Sequence, residues 1–239
     1  MKILVTNVGI PLQSELAQRL AANHEVRCTA VEERHVEGDF VCCDLGHGDP
    51  TNDLVRGMDA IVHGGATDAS RSVQQQLDDA TRRTYNLLYA ASQEKVPRIL
   101  FLSSLALMAQ YGEDFMVTET WRPTPTADAD QLCYHLGEFT CKEFVRQNRI
   151  TIVCLRLGEI FRGGDETPSS SGLHLDDAVR AVVSGLAWDV TRERTSGGRP
   201  PAPDAKGWGL FHVQSPVPNA RFSTLSARNL MDFEPEQAS

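Results

Sequence analysis

No stretch of this chain approaches the roughly 18 consecutive apolar residues of a membrane-spanning helix, so no membrane association is expected. Basic charge is scarce. Lys and Arg number 23 against 32 Asp and Glu, a net charge of -9, and no local cluster of Lys or Arg offsets it. An acidic surface repels phosphate backbones, which argues against nucleic acid as a partner. The six cysteines include no C-x-x-C pair and no His at zinc-ligand spacing, so no metal site is expected and the thiols read as buried and reduced. The first ten residues, MKILVTNVGI, lack the long apolar core and small-residue cleavage site of a secretory signal, which points to the cytoplasm. There is no internal repeat and no heptad run.

What is present is alternation. Short, mainly apolar runs at residues 2–6, 25–31, 40–43, 60–64, 98–103 and 151–157 read as strands, with a further short one at 211–213. Between them, residues 14–22, 52–56, 73–94, 134–148 and 176–187 carry helical periodicity. In the first of these, Leu16, Leu20 and Ala21 share a face. Apolar strands alternating with helices imply a parallel sheet covered on both faces, and right-handed crossovers make it doubly wound. The chain therefore reads as α/β, a Rossmann-type doubly wound parallel sheet. Its 239 residues suit a single domain, with a core over residues 1–160 and a small C-terminal substrate region over 161–239. Residues 162–172 and 191–209 read as Gly/Pro-rich loops, and the last eight residues as a frayed tail.

Several landmarks come in a fixed order. Residues 3–6 lead into a turn and helix, Asp44-Leu45 follows the third strand, and IVHGGA ends the fourth at Ala66. Residues 99–104 (ILFLSS) end the fifth strand, Tyr134 opens a helix, LRLG ends at Gly158, and GLHLDD precedes a late helix. Over roughly residues 1–190 this order resembles the NAD-dependent epimerase/dehydratase proteins, the extended short-chain dehydrogenases. The short connection from Gly158 to His174 is most similar to that of the compact uronate dehydrogenases.

The resemblance implies NAD or NADP as cofactor, bound by Thr6, Asn7 and Gly9 in the phosphate loop, by Asp44 and Leu45 at the adenine, and by Gly64 and Ala66 at the nicotinamide ribose. It implies Ser104 and Tyr134 as the catalytic hydroxyls, a sugar or sugar acid as substrate, and a homodimer built on the helices at 73–94 and 134–148. This chain departs from the pattern at chemically demanding places. The glycine positions of T-G-x-x-G-x-x-G hold Asn7, Ile10 and Gln13, with Gly9 out of register. Asn7 tolerates a left-handed backbone. Ile10 puts bulk where a pyrophosphate approaches, and Gln13 crowds helix against sheet. Pro11 can still start that helix. Ala30 stands where an acid usually holds the ribose, with Glu32 and Glu33 as substitutes or solvated turn residues.

The Lys of Y-x-x-x-K is replaced by Glu138, whose charge one turn from Tyr134 disfavours a phenolate. Lys142 lies one turn further on. His63 and His174 read as structural, Asp176 or Asp177 as a helix cap, and Arg156 as half of an ion pair. Two functions stay open: a sugar or sugar-acid oxidoreductase or epimerase with weakened or lost activity, and an inactive scaffold that senses a ligand or binds a protein.

Overall fold

The computed structural model describes residues 1–147, 150–163, 168–189 and 207–236. Seven parallel strands form the central sheet: β1 (Lys2–Val5), β2 (Glu25–Ala30), β3 (Asp39–Cys42), β4 (Ala60–Gly64), β5 (Ile99–Ser104), β6 (Ile152–Leu157) and β9 (Trp208–Val213). Their order is β3-β2-β1-β4-β5-β6-β9. Chain direction across the sheet reverses between β1 and β4, the switch point where α/β sheets open a crevice. β4 and β6 are buried along their whole length, and apart from His63 and Arg156 both are apolar.

Helices cover both faces. Leu16, Ala17 and Leu20 of α1 (Pro11–Ala21) pack with Ala178, Ala181 and Val182 of α6 (Leu175–Ala187) on one face. Leu87, Leu88, Cys141, Phe144 and Val145 pack on the other, from α4 (Thr84–Gln93) and α5 (Ala129–Arg146). Two further helices, α2 (Asp49–Val55) and α3 (Val73–Asp78), and a small parallel pair, β7 (Glu159–Phe161) with β8 (Gly172–His174), complete the region before β9. α7 (Leu225–Met231) follows β9.

Several expectations are corrected. Ala21 is exposed, and Ala17 takes its place in the core. The helix expected over 73–94 is interrupted by a π-helical turn at Asp79–Arg83, where Arg83 pairs with Asp79 at 2.6 Å. α5 begins at Ala129, so Tyr134 lies inside the helix rather than opening it. β7 and β8 were not foreseen, because three-residue strands carry too little pattern. Phe233, in the expected frayed tail, is 1% exposed and belongs to the core, and the Glu236 amide donates to Asp177 at 2.9 Å. Cys42 is exposed while the other five thiols are buried, and all six are free. Most of the loop expected over 191–209, with residue 148 and part of the 162–172 loop, lies outside the described residues. Among the described residues no helix is long and apolar enough to cross a membrane.

Candidate active-site cleft

A cleft of about 460 Å³ opens beyond the C-terminal ends of β4, β5 and β6. Ala66, Ser103, Ser104 and Tyr134 line it from the sheet and α5, and Leu12 and Gln13 from α1. Ser170, Ser171, Arg221 and Phe222 close it from the C-terminal part of the chain. Ser104, at the end of β5, and Tyr134, inside α5, thus reach one site. Ser104 Oγ also accepts from the Ala106 amide at 3.1 Å and caps the short 3-10 turn Leu105–Met108.

The turn after β1 takes the left-handed conformation expected of Asn7, with φ of 56°. Ile10 is the N-cap residue of α1 and makes no side-chain cap bond, and Pro11 occupies the first turn. Thr6 is fully buried, its Oγ1 2.7 Å from His63 Nδ1. His63 Nε2 lies 2.9 Å from Thr84 Oγ1, so the imidazole is a structural strut between β4 and α4. Burial lowers its pKa to about 4. Unfolding releases an imidazole of ordinary pKa, 6.5, so between these values the unfolded chain binds the extra proton and stability falls with falling pH. At ~1.4 kcal/mol per pH unit the loss should approach about 3 kcal/mol. Urea unfolding at pH 7 and pH 4.5, compared between wild type and His63→Gln, measures it; equal pH dependence in both proteins would contradict this role.

Gln13 is 1% exposed and lies against β4: a Cβ built on Gly64 would stand 1.9 Å from Gln13 Nε2. Its Oε1 is buried without a hydrogen-bond partner among the described residues. A Cβ on Gly65 would stand 2.7 Å from the Phe101 ring and 3.0 Å from that of Tyr134, so this position is glycine for close packing beneath the phenol. Gly9 is exposed, with the Arg34 guanidinium 3.4 Å from its hypothetical Cβ. Ala30 is buried, and Glu32 and Glu33 are exposed turn residues; Glu32 pairs with Arg34 at 3.5 Å. Asp44 is exposed and its Oδ1 accepts from the Gly46 amide at 3.0 Å, a local turn. Leu45 is buried with φ of 52°, its carbonyl accepting from Asn86 at 2.9 Å.

The position expected to hold Lys contains a different machine. Glu138 is 1% exposed and receives both Arg156 Nε and Nη2 at 2.8 Å, with Ser103 Oγ donating at 2.7 Å. Burial pushes this carboxyl up, but the hydrogen bonds and charge of Arg156, with Lys142 and Ser103, outweigh it and hold the pKa below the ordinary value. Lys142 Nζ lies 3.6 Å from Glu138 Oε2 and 5.4 Å from the Trp208 ring. Its ammonium is therefore placed with Glu138, one turn beyond the phenol. The Tyr134 pKa is pushed up to about 12, first by burial and then by Asp130 and Cys133. That corrects the cause expected from sequence: Glu138, neutralised by Arg156, is not what holds the phenol protonated.

His174 caps α6, its Nδ1 accepting from the Asp176 amide at 3.2 Å, so neither Asp176 nor Asp177 is the cap. Asp177 is fully buried and bound by Arg180 and Ser215. On α5, Phe144 and Val145 are core residues, whereas Phe139 is 59% exposed.

Sequence reasoning missed Arg221. It is 9% exposed, stacks 5.3 Å over the Phe222 ring, and donates through Nη2 to the carbonyls of Tyr111 and Gly112, while its Nε has no partner among the described residues. The one local signal is the PNARF turn after the last strand, where Asn219 has φ of 57°. Among the described residues no group of His, Cys, Asp or Glu could hold a metal ion.

Comparison with known proteins agrees with this layout. A uronate dehydrogenase of Agrobacterium fabrum is 30% identical over 135 residues, 55% of this chain and 49% of that protein. One from Pseudomonas syringae pv. tomato is 26% identical over 145 residues, 60% of this chain and 52% of that protein. The chain spans about half the length of the curated relatives it matches. The fold is also that of the uronate dehydrogenase from Agrobacterium tumefaciens, with a TM-score of 0.81 at 20% identity over 99% of this chain and 85% of the other. The glucuronic acid dehydrogenase from Chromohalobacter salexigens gives a TM-score of 0.80 at 20% identity, over 100% of this chain and 85% of the other. A mutant of the Agrobacterium tumefaciens enzyme complexed with NAD matches with a TM-score of 0.80 at 21% identity, over 99% and 85%. The family model described as the NAD dependent epimerase/dehydratase family matches residues 13–191, and the chain belongs to that family.

Proposed function

We propose that this chain binds a monosaccharide acid in the cleft, as a family member whose nicotinamide-dependent oxidoreductase or epimerase turnover is slow or lost. The observation that carries the ligand class is the lining: one buried guanidinium, Arg221, shares the cleft with the hydroxyls of Ser104 and Tyr134. A cation suits a carboxylate, and neutral hydroxyls suit a polyol. Residues 161–239 supply the substrate side through Ser170, Ser171 and Arg221. The uronate dehydrogenases among its relatives support the same class.

NAD or NADP fits this chain in one half only. On the phosphate side, α1 starts without a side-chain cap and Arg34 packs at Gly9, both favourable to an anion beside Thr6, Asn7 and Gly9. Asp44 and Leu45 would face the adenine. On the nicotinamide side the residues do not fit. Gln13 fills the space against Gly64, next to Ala66, and Tyr134 lacks the ammonium that would lower its pKa. A nicotinamide, where bound, supplies a hydride acceptor; the proton acceptor that must accompany it is a phenol held at about 12. What Tyr134 can do at neutral pH is donate a hydrogen bond to a ligand oxygen, with Ser104 beside it.

The second reading, a ligand sensor without turnover, draws on the same Glu138–Arg156 pair. Calorimetric titration of the full chain with D-glucuronate, D-galacturonate and neutral D-glucose tests the ligand class. The acids should bind with dissociation constants of about 1 mM or below, and glucose at least tenfold more weakly. No heat from either acid at ten times that concentration would overturn it.

A further inference from the structure

Two residues that line the cleft each carry a buried polar atom with no hydrogen-bond partner among the described residues: Gln13 Oε1, an acceptor, and Arg221 Nε, a donor. Gln13 is 1% and Arg221 9% exposed, so neither is a surface side chain with water on all sides. Buried polar groups are normally paired, because leaving one unpaired costs as much as a lost hydrogen bond. Two of opposite type, on residues that line one cavity, make that cavity the candidate place where a ligand completes the bonding. Gln13 is held there by geometry. It stands in the first turn of α1, whose Leu16 and Leu20 are anchored in the core, and its amide lies where a Cβ on Gly64 would be. The amide is packed against β4, so the side chain has no room to swing further towards the strand.

We propose that Gln13 is the specificity residue of this site, plugging the nicotinamide side of the dinucleotide crevice and accepting a hydrogen bond from a hydroxyl of the sugar acid. This rests on the reading that the cleft takes a sugar acid. The plug follows from volume: a carboxamide occupies the place where helix and strand must stay bare for a dinucleotide to approach. The anchor follows from chemistry, since an amide oxygen accepts and a polyol hydroxyl donates. The carboxylate of the same ligand pairs with Arg221. One side chain thereby exchanges cofactor for ligand.

Three variants of the full chain separate the parts. Gln13→Gly removes the plug, and NADH, followed by its own fluorescence, should bind at least tenfold more tightly than to wild type. Gln13→Ala, which keeps helix propensity, should move NADH affinity in the same direction. Gln13→Leu keeps the bulk and loses the acceptor. It should exclude NADH as wild type does, yet bind D-glucuronate at least fivefold more weakly by calorimetry. Unchanged NADH affinity in both small variants overturns the plug, and unchanged glucuronate affinity in Gln13→Leu overturns the anchor. Failure of wild type to bind any hexuronate would instead remove the sugar-acid reading and the anchor with it, while the NADH titrations still decide the plug.

Discussion

Glu138→Ala should lower the unfolding free energy by about 3–5 kcal/mol, because it strands Arg156 as an uncompensated charge inside the protein. Both side chains are 1% exposed, and the pair is bidentate, with each N···O distance 2.8 Å. Met108 Sδ, 3.3 Å from Arg156 Nη1, is too weak an acceptor to take over. The loss comes from breaking the pair, since well-packed apolar residues can replace such a pair at little cost. The double variant Glu138→Ala with Arg156→Met should therefore be more stable than Glu138→Ala alone. Urea unfolding of the three proteins measures this. A single-variant loss below about 1 kcal/mol, the range of exposed ion pairs, would show that Arg156 finds another partner.

Arg221→Met carries the largest expected effect on binding. The methionine keeps much of the apolar stem over Phe222 and removes the guanidinium. Truncating one side of a buried, hydrogen-bonded charge pair costs about 2–5 kcal/mol, so D-glucuronate should bind roughly thirtyfold more weakly or worse. D-glucose, which has no carboxylate, should be almost unaffected. Calorimetry on both ligands, with circular dichroism to confirm folding, distinguishes a carboxylate anchor from a residue that only holds the Tyr111–Gly112 loop. If glucose and glucuronate lose affinity equally, Arg221 is structural.

The sheet was legible because its central strands β1, β4, β5 and β6 are buried over most or all of their length and therefore appear as mainly apolar runs between turn residues. The Gly64, Ala66 and Ser104 strand ends were legible for the same reason: each closes a run whose position fixes it at the C-terminal edge. α5 was entered five residues late because its first turn, ADQLC, is polar and follows a Pro/Thr-rich stretch that offers no cap. Asp128 indeed makes no side-chain cap bond there. The replacement of Lys by Glu138 could be read directly, but its consequence could not. Only the parallel pairing of β5 with β6 puts Arg156 beside Ser103 and beneath α5, and only then does Glu138 become one partner of a closed pair rather than a free charge against Tyr134. Arg221 was invisible because its place depends on the path of the chain after β9, where Val117 and Phe222 meet in an isolated bridge. Gln13 was legible as crowding, whereas its free carbonyl is a property of the packed helix.

On the proposed reading, this family member binds a sugar acid in its cleft and lacks the proton relay that hydride transfer needs. Absorbance at 340 nm, with the full chain, NAD or NADP, and D-glucuronate or D-galacturonate, tests it most directly. Loss of a positioned acid–base group costs about 10²–10⁴ in rate, so from a typical turnover number of about 10 s⁻¹ the predicted rate falls at or below about 0.1 s⁻¹, with hexuronate binding still measurable by calorimetry. Turnover of several per second with either cofactor would contradict the account, for it would mean that Tyr134 is deprotonated in the working site despite its burial and its missing Lys.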